Sequence, residues 1–105
     1  MEIIHETILE VSINRLKSNF NYLKSKLKTK TKIIAVMKAY AYGHGDIILA
    51  KKLEEFGVHA LWVADFEEGS RLRENGVQIP IIIANPGTKS TKKIIDNKLD
   101  VVIYN

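Results

Sequence analysis

Residues 33–45 read IIAVMKAYAYGHG, and they are the most informative segment of this chain for its fold. Ile33 to Met37 form an unbroken apolar run, the pattern of a short strand buried on both faces in a parallel sheet. Lys38 then lies where this strand leaves the core, and Gly43 to Gly45 allow a close turn before the next helix. The pattern predicts a reactive amine at the carboxyl end of a strand, where α/β folds build their active sites.

The composition sets limits on the rest of the chain. With 105 residues, 46% of them hydrophobic, it can form one domain with a modest core. The absence of cysteine excludes disulfides, thiolate catalysis and cysteine-ligated zinc. The amino-terminal residues lack the apolar run and cleavage site of a secretory signal, and no run approaches membrane-spanning length. We therefore expect a cytoplasmic protein.

The net charge of +4 comes largely from an alternating series of lysines. They are Lys24, Lys26, Lys28, Lys30 and Lys32. Ser, Leu and Thr separate them, rather than aromatic residues on which bases could stack, so we interpret the series as a solvated helix end and loop. We expect neither nucleic acid nor a membrane as a partner.

A strand and a helix are predicted before residue 33. Residues 7–13 alternate between apolar and polar positions, which is typical of a strand. Helical spacing follows, with Ser12 or Asn14 as the cap of the first turn. The apolar positions of this helix are Ile13, Leu16, Phe20, Leu23 and Leu27.

From residue 33 onward, apolar strands alternate with amphipathic helices, which indicates repeated βα units. The strands are predicted at residues 33–37, 60–64, 81–84 and 99–104. One helix begins near Asp46 and stops at Gly57. Its inward positions are Ile47, Ala50, Leu53 and Phe56.

The later helices carry their own signals. Asp65 and Glu68 have the spacing of a capping box for a helix that contains Leu72 and stops at residues 75–76. Residues 85–87, Asn-Pro-Gly, turn the chain towards a short helix with Ile94 and Ile95. This periodicity fits either a small doubly wound sheet or the first half of an eight-stranded barrel. A complete barrel needs about 250 residues, so the barrel reading implies that the C-terminal end is incomplete.

The residues around Lys38 also indicate a cofactor. A glycine-bounded turn before a helix start favours phosphate, and Tyr42 can offer it a phenol. An amine beside such a turn predicts a Schiff-base lysine that holds pyridoxal phosphate. The spacing is not that of a Walker loop, and Ile48 occupies the third glycine position of a dinucleotide fingerprint.

Residues 35–45, AVMKAYAYGHG, resemble the pyridoxal-phosphate signature of alanine racemases, commonly AVVKANAYGHG. Residues 63–76, VADFEEGSRLRENG, resemble the family segment VAxxEEAxxLRxxG. The resemblance covers essentially the whole chain but only the N-terminal part of a family member. Tyr40 departs from the commoner asparagine, which bears on local packing more than on cofactor attachment.

The resemblance implies a fold and an activity. Residues 1–12 would supply a strand of the family's β-domain, and residues 13–105 the first half of a TIM-type (β/α)8 barrel with parallel strands. The complete enzyme would be a homodimer that interconverts L-alanine and D-alanine and so supplies a cell-wall precursor. The fragment alone would be inactive as a racemase.

The resemblance also implies roles for four residues. Lys38 would bind pyridoxal phosphate covalently and act as one of two catalytic bases, and Tyr42 would hydrogen-bond the phosphate. Val36 would pack near the pyridine ring, and Ile83 would be an apolar neighbour on the third strand. The second base, a tyrosine of the partner subunit, and the arginine that faces the pyridine nitrogen would lie outside these residues.

Other polar and aromatic residues have simpler interpretations. His44 is expected to shape the turn, and the remaining histidines lack metal-ligand spacing, so no metal is predicted. Glu67 and Glu68 are read as first-turn helix charges, and Trp62 and Phe66 as packing residues. Three alternatives stay open: another pyridoxal-phosphate barrel enzyme, either a racemase of different specificity or a decarboxylase; a non-catalytic cofactor-binding protein; or a self-assembling half-barrel.

Overall fold

The computed structural model describes residues 11–38, 45–87 and 91–103. Helices and strands alternate along these residues. The helices are α1 (Ile13–Ser25), α2 (Asp46–Phe56), α3 (Phe66–Glu74) and α4 (Thr91–Asp96). The strands are β1 (Ile34–Val36), β2 (Ala60–Val63), β3 (Ile81–Ile83) and β4 (Asp100–Val101).

The four strands form one parallel sheet in the order β1-β2-β3-β4. Each new strand joins the sheet next to the strand that precedes it in the chain, always in the same direction across the sheet. Right-handed crossovers in one direction place their helices on one face of the sheet. A doubly wound sheet would reverse its strand order. The predicted α/β fold with parallel strands is therefore confirmed, and the barrel-type winding replaces the doubly wound alternative.

The register divides the strand side chains between two faces. Leu61 and Val63 of β2 align with Ile81 and Ile83 of β3, and all four side chains are fully buried. Ile81 lies beneath α3, since its Cγ2 is 3.5 Å from where a Cβ of Gly69 would stand. This face is therefore the one that the helices cover.

The opposite face, here called the open face, carries the alternate residues of the same strands. Its apolar members are Ile34, Val36, Ala60, Trp62 and Ile82. Ile34 is 50% exposed and Val36 44% exposed. The expectation that β1 is buried on both faces is therefore wrong for the described residues, because the helices pack on one face only.

Helix α1 begins as predicted but buries less of its length than expected. Ser12 is the N-cap, and its side chain accepts a hydrogen bond from the backbone N of Arg15 at 3.3 Å. Phe20 is buried and packs against Phe56 with ring centroids 6.3 Å apart. Leu23 is 60% exposed, because the core contacts lie in the first two turns of the helix. The predicted helical position of Leu27 is wrong, because α1 ends at Ser25, and Leu27 is exposed beyond it.

The predicted strand over residues 7–13 is not present in its described part. Val11 and Ser12 lie in no strand, and Ile13 already begins α1. The capping bond of Ser12 commits the next residue to the helix. Residues 7–10 lie outside the described residues.

The boundaries of α2 and α3 follow their local signals. Gly57 closes α2 in the left-handed conformation at φ 102°, and Asp65 caps α3. Ala50 and Leu53 of α2 are buried as predicted, and Leu49 joins them. Strands β3 and β4 are shorter than predicted, and Tyr104 lies outside the described residues.

Two charged side chains tie successive βα units together. The Arg73 guanidinium donates to the carbonyl oxygens of Val77, Ile79, Asn97 and Lys98 at 2.8 to 3.2 Å. The Oε2 atom of Glu54 accepts from the backbone N atoms of Gln78 at 2.6 Å and Ile79 at 2.8 Å. These bonds satisfy backbone groups of the loops that connect successive βα units.

Candidate functional site

Lys38 lies at the carboxyl end of β1 as the sequence predicts. The pairing of β1 with β2 continues past Val36, since the backbone N of Met37 donates to the carbonyl oxygen of Trp62 at 2.7 Å. Met37 is buried and Lys38, the next residue, is exposed. The hydrogen bonds to β2 therefore reach the residue directly before the exposed Lys38.

An apolar stripe of the open face runs up to this edge. Val36, Trp62 and Ile82 are aligned across three neighbouring strands. Val36 is half-exposed, and the other two are intermediate in burial. These three side chains give the open face an apolar stripe at the level of the last residue of β1.

The structure does not bring the four predicted site residues to one surface. Val36 lies on the open face close in sequence to Lys38, whereas Ile83 is fully buried on the face that the helices cover. The physical reason is the alternation of side chains along β3, which turns Ile83 away when Ile82 faces the open side. Tyr42 lies outside the described residues.

Sequence reasoning missed the residues of β2 and β3 that do face the open side. The sequence predicts Trp62 as a packing residue and Ile83, rather than the adjacent Ile82, as a site residue. Ala84 continues the pattern, since its backbone N donates to the carbonyl oxygen of Val63 at 3.0 Å beyond the end of β3. The alternation of side chains along each strand could have identified these residues. That would also have required knowing which residues of β2 and β3 are aligned with Val36.

The first turn of α2 lies just after the predicted site segment. Gly45, its N-cap, has φ 95°, a conformation that glycine adopts without strain. Asp46 is 5% exposed, and its Oδ1 atom accepts from the backbone N of Ile47 at 2.9 Å. Its Oδ2 atom lies 3.1 Å from Nε of Arg71 on α3.

A cavity of about 460 Å³ borders this ion pair. Its lining combines the start of α2 with one residue before α1 and one from α3. The lining residues are Val11, Gly45, Asp46, Ile47, Ile48, Leu49 and Arg71. The cavity therefore lies beside both the first turn of α2 and the ion pair.

The paired carboxylates of residues 67 and 68 serve the helix, as predicted. The backbone N of Glu68 donates to Oδ1 of Asp65 at 3.0 Å, and Oε1 of Glu68 accepts from the backbone N of Ala64 at 3.0 Å. In a standard capping box, the Glu68 side chain would accept from the backbone N of the cap, Asp65. Here it accepts from Ala64, one residue earlier. These contacts hold the start of α3 at the carboxyl edge of the sheet.

The described histidine has a structural partner. Nδ1 of His59 accepts a hydrogen bond from the backbone N of Ile33 at 3.1 Å. Within residues 11–38, 45–87 and 91–103, no three His, Asp or Glu side chains converge as metal ligands would. Over the same ranges, no helix is both long and apolar enough to cross a bilayer.

The side chains at the carboxyl end of β1 fit a cofactor that has an aldehyde group and a flat ring. An exposed primary amine can form a covalent bond with a carbonyl carbon, and the half-exposed side chain of Val36 offers apolar contact for a ring. Among the described residues, this combination of amine and apolar strand face is consistent with pyridoxal phosphate.

Comparison with known proteins points to one family. A family model described as "Alanine racemase, N-terminal domain" matches residues 11–105. The alanine racemase of Halothermothrix orenii is 47% identical over 79 residues, which are 75% of this chain and 21% of that protein. Alanine racemase 1 of Caldanaerobacter subterraneus is 37% identical over 103 residues, which are 96% of this chain and 26% of that protein.

Solved structures of the same family share the fold. The alanine racemase of Clostridium difficile 630 in complex with cycloserine superposes with a TM-score of 0.84 at 38% identity, covering 87% of this chain and 25% of that one. The alanine racemase from E. faecalis gives a TM-score of 0.83 at 31% identity, covering 89% and 25% of the two chains. The chain thus spans between a fifth and about a quarter of the length of the curated relatives described above.

Proposed function

This chain belongs to the alanine racemase family, and we propose that it supplies the cofactor-bearing part of an enzyme that interconverts L-alanine and D-alanine. The observation that carries the proposal is the position of Lys38, exposed at the carboxyl end of β1 beside an apolar strand face. The relatives are named alanine racemases, which supports alanine as the substrate. The activity belongs to the whole enzyme rather than to these residues alone.

Pyridoxal phosphate is the proposed cofactor. Lys38 would hold it covalently through Nζ, Val36 would support its ring, and Tyr42 would donate a hydrogen bond to its phosphate. When bound, the cofactor supplies an electron sink for the negative charge left on the α-carbon. Ile83 is not included, because its side chain is buried on the opposite face of the sheet.

Lys38 has a second task in this proposal. Inversion of an α-carbon requires a proton to leave one face and another to arrive at the opposite face. A lysine amine beside the α-hydrogen can take or give a proton at Nζ, so Lys38 would serve one face. A second base from outside residues 1–105 would serve the other, and the 105-residue chain alone is therefore expected to be inactive.

The proposal extends to domain organisation and assembly. Residues 1–12 would contribute a strand to a β-domain, and residues 13–105 would form the first half of the cofactor barrel. The complete enzyme would act as a cytoplasmic homodimer and provide D-alanine for cell-wall precursors. The strand order β1-β2-β3-β4 supports the barrel assignment, because strands that follow one another in the chain are also neighbours in the sheet of such a barrel.

Covalent trapping tests the role of Lys38. The purified chain would be incubated with increasing pyridoxal phosphate, reduced with borohydride, digested, and analysed by peptide mass spectrometry. We expect saturable labelling at Lys38 that Lys38→Ala removes. Lys32→Ala is the matched control, because Lys32 is an exposed lysine near the amino end of the same strand.

Two results would contradict the proposal. Labelling spread evenly over the exposed lysines, with no preference for Lys38, would remove its special role in binding the cofactor. Racemisation of alanine by the isolated chain, abolished by Lys38→Ala, would show that no base from outside these residues is required.

A further inference from the structure

We infer that the two edges and the open face of the sheet form a docking surface for a second copy of this chain, which completes an eight-stranded barrel. Among the described strands, β1 and β4 each have only one neighbour. An unpaired edge presents backbone donors and acceptors that can pair with another strand. This surface is separate from the proposed role of Lys38.

A twofold axis along the strands joins two such sheets into a closed barrel. It places β1 of each copy beside β4 of the other, so all strands run parallel and no edge is left unpaired. The four described strands are half of those in a (β/α)8 barrel. Because the helices cover one face only, the open face of each copy is available to line the interior.

The open face has the composition of a barrel interior. Ile34 and Val36 are half-exposed, and Trp62 and Ile82 on the neighbouring strands are intermediate in burial. An eight-stranded barrel is just wide enough for its inward side chains to fill it. A second copy would therefore bury these apolar side chains against the same face of its partner.

One row of aligned residues crosses the sheet from β1 to β4. Its members are Val36, Trp62, Ile82 and Asp100. Strand pairing continues to Met37, one residue past this row on β1, and to Asn85, three residues past it on β3. The row therefore lies progressively further from the carboxyl edge of the sheet as it passes from β1 to β4.

This stagger predicts which residues meet across the new contact. A closed barrel has a total shear of about eight residues, so each half contributes about four. The row would continue from Asp100 of one copy to the residue four positions before Val36 in the other, which is Lys32. Lys32 and Asp100 are exposed, and within residues 11–38, 45–87 and 91–103 neither forms an ion pair. The twofold axis forms this pair twice.

The same charges disfavour pairing between identical edges. Lys32 precedes β1 and Lys38 follows it, so an antiparallel pair of β1 strands would bring lysines together. Strand β4 consists of Asp100–Val101, which is too short to hold two copies by itself. Charge complementarity therefore favours β1 against β4 of a second copy.

Analytical ultracentrifugation of the 105-residue chain tests this contact. We expect an equilibrium of monomer and dimer without larger species, because closure leaves no edge. Lys32→Glu and Asp100→Lys should each weaken the dimer about tenfold by placing like charges together, and the double variant should regain most of the affinity. Lys24→Glu and Asp96→Lys, charge-matched changes at exposed helix positions, should stay within about twofold.

The apolar part of the surface has its own pair of variants. Ile34→Asp puts a charge into the proposed interior and should abolish the dimer, whereas Ile48→Asp on the exposed surface of α2 should retain it. Urea unfolding at a concentration where the unaltered chain is monomeric identifies variants that fail to fold. If Ile34→Asp is one of them, the charge-swap series decides alone.

Engineered thiols report the pairing directly, because the chain contains no cysteine. A mixture of Lys32→Cys and Asp100→Cys chains should form an intermolecular disulfide, whereas either variant alone should form little, since the twofold axis keeps identical residues on opposite sides of the barrel. A chain that stays monomeric, forms open-ended oligomers, or dimerises regardless of Ile34→Asp and the charge swap would overturn the inference. None of these measurements involves the cofactor, so their outcome is separate from that of borohydride trapping.

Discussion

Val36 on β1 and Trp62 on β2 are aligned partners in the parallel ladder, so their side chains project from the same face of the sheet. The ladder continues one residue further, through the bond from Met37 N to Trp62 O at 2.7 Å. Lys38 therefore follows a backbone that is held in place up to its last residue. Under the proposed function, apolar support for the cofactor would come from two strands rather than from the lysine strand alone.

Val36 and Ile83 should respond in opposite ways to truncation. Val36→Ala removes a side chain that is 44% exposed, so we expect less than about 1 kcal/mol of lost stability but about fivefold weaker labelling of Lys38 by pyridoxal phosphate. Ile83→Ala removes a fully buried side chain and should cost about 2–5 kcal/mol in the free energy of unfolding. Urea unfolding and borohydride trapping measure the two effects. Equal labelling by the Val36 variant and the unaltered chain would remove Val36 from the site.

Arg73 should be a major contributor to stability. Its guanidinium satisfies the carbonyl oxygens of Val77, Ile79, Asn97 and Lys98. Arg73→Met keeps much of the side-chain volume but leaves these oxygens without their charged donor, so we expect a loss of about 2–4 kcal/mol in urea unfolding. Arg15→Met on the exposed side of α1 should change stability by less than about 0.5 kcal/mol. Similar losses for the two variants would show that the Arg73 contacts contribute little.

The cap of α3 should be replaceable by another acceptor. Asp65→Ala removes the bond from Glu68 N to Oδ1, which is 3.0 Å long, and should cost about 1 kcal/mol in thermal or urea unfolding. Asp65→Asn retains an acceptor oxygen and should recover most of that loss. Glu67→Ala, in the same first turn, should lose only a helix-dipole term of about 0.3 kcal/mol. If Asn were as damaging as Ala, the carboxylate charge rather than the cap would be responsible.

Gly57 should tolerate no ordinary side chain without strain. It ends α2 at φ 102°, and a Cβ built there meets no heavy atom within 4 Å. Gly57→Ala should therefore cost about 1–2 kcal/mol through backbone conformation alone. Gly57→Asn should cost less, because asparagine adopts the left-handed conformation more readily. A neutral alanine variant in urea unfolding would mean that the chain relaxes out of this conformation.

Much of the fold could be predicted because its signals are local. Ser12, Asp65 and Gly57 mark helix ends through bonds and dihedral angles formed within a few residues, and all three lie where the sequence places them. The apolar runs identified four strands for the same reason. Lys38 could be identified as a candidate site residue because a lysine directly after an apolar run is recognisable from adjacent residues alone.

Side-chain exposure was harder to predict because it depends on what packs against each face. Leu23 and Leu27 have helical spacing with Phe20, yet only Phe20 is buried, since α1 meets the core through its earlier turns and ends at Ser25, before Leu27. Ile34 and Val36 belong to an apolar run that is typical of a strand covered on both faces. The described helices cover only one face, and this leaves both side chains half-exposed.

Adjacent residues were enough to predict the parallel α/β elements, the position of Lys38 at a strand end and the resemblance to alanine racemases, because each of these depends on local pattern and spacing. The strand order, the separation of Val36 from Ile83 and the ion pair of Asp46 with Arg71 became known from the folded chain alone. Those features depend on the register between strands and on contacts between residues far apart in the chain. Hydrophobic pattern and spacing specify which residues can be buried, whereas register specifies which of them share a surface.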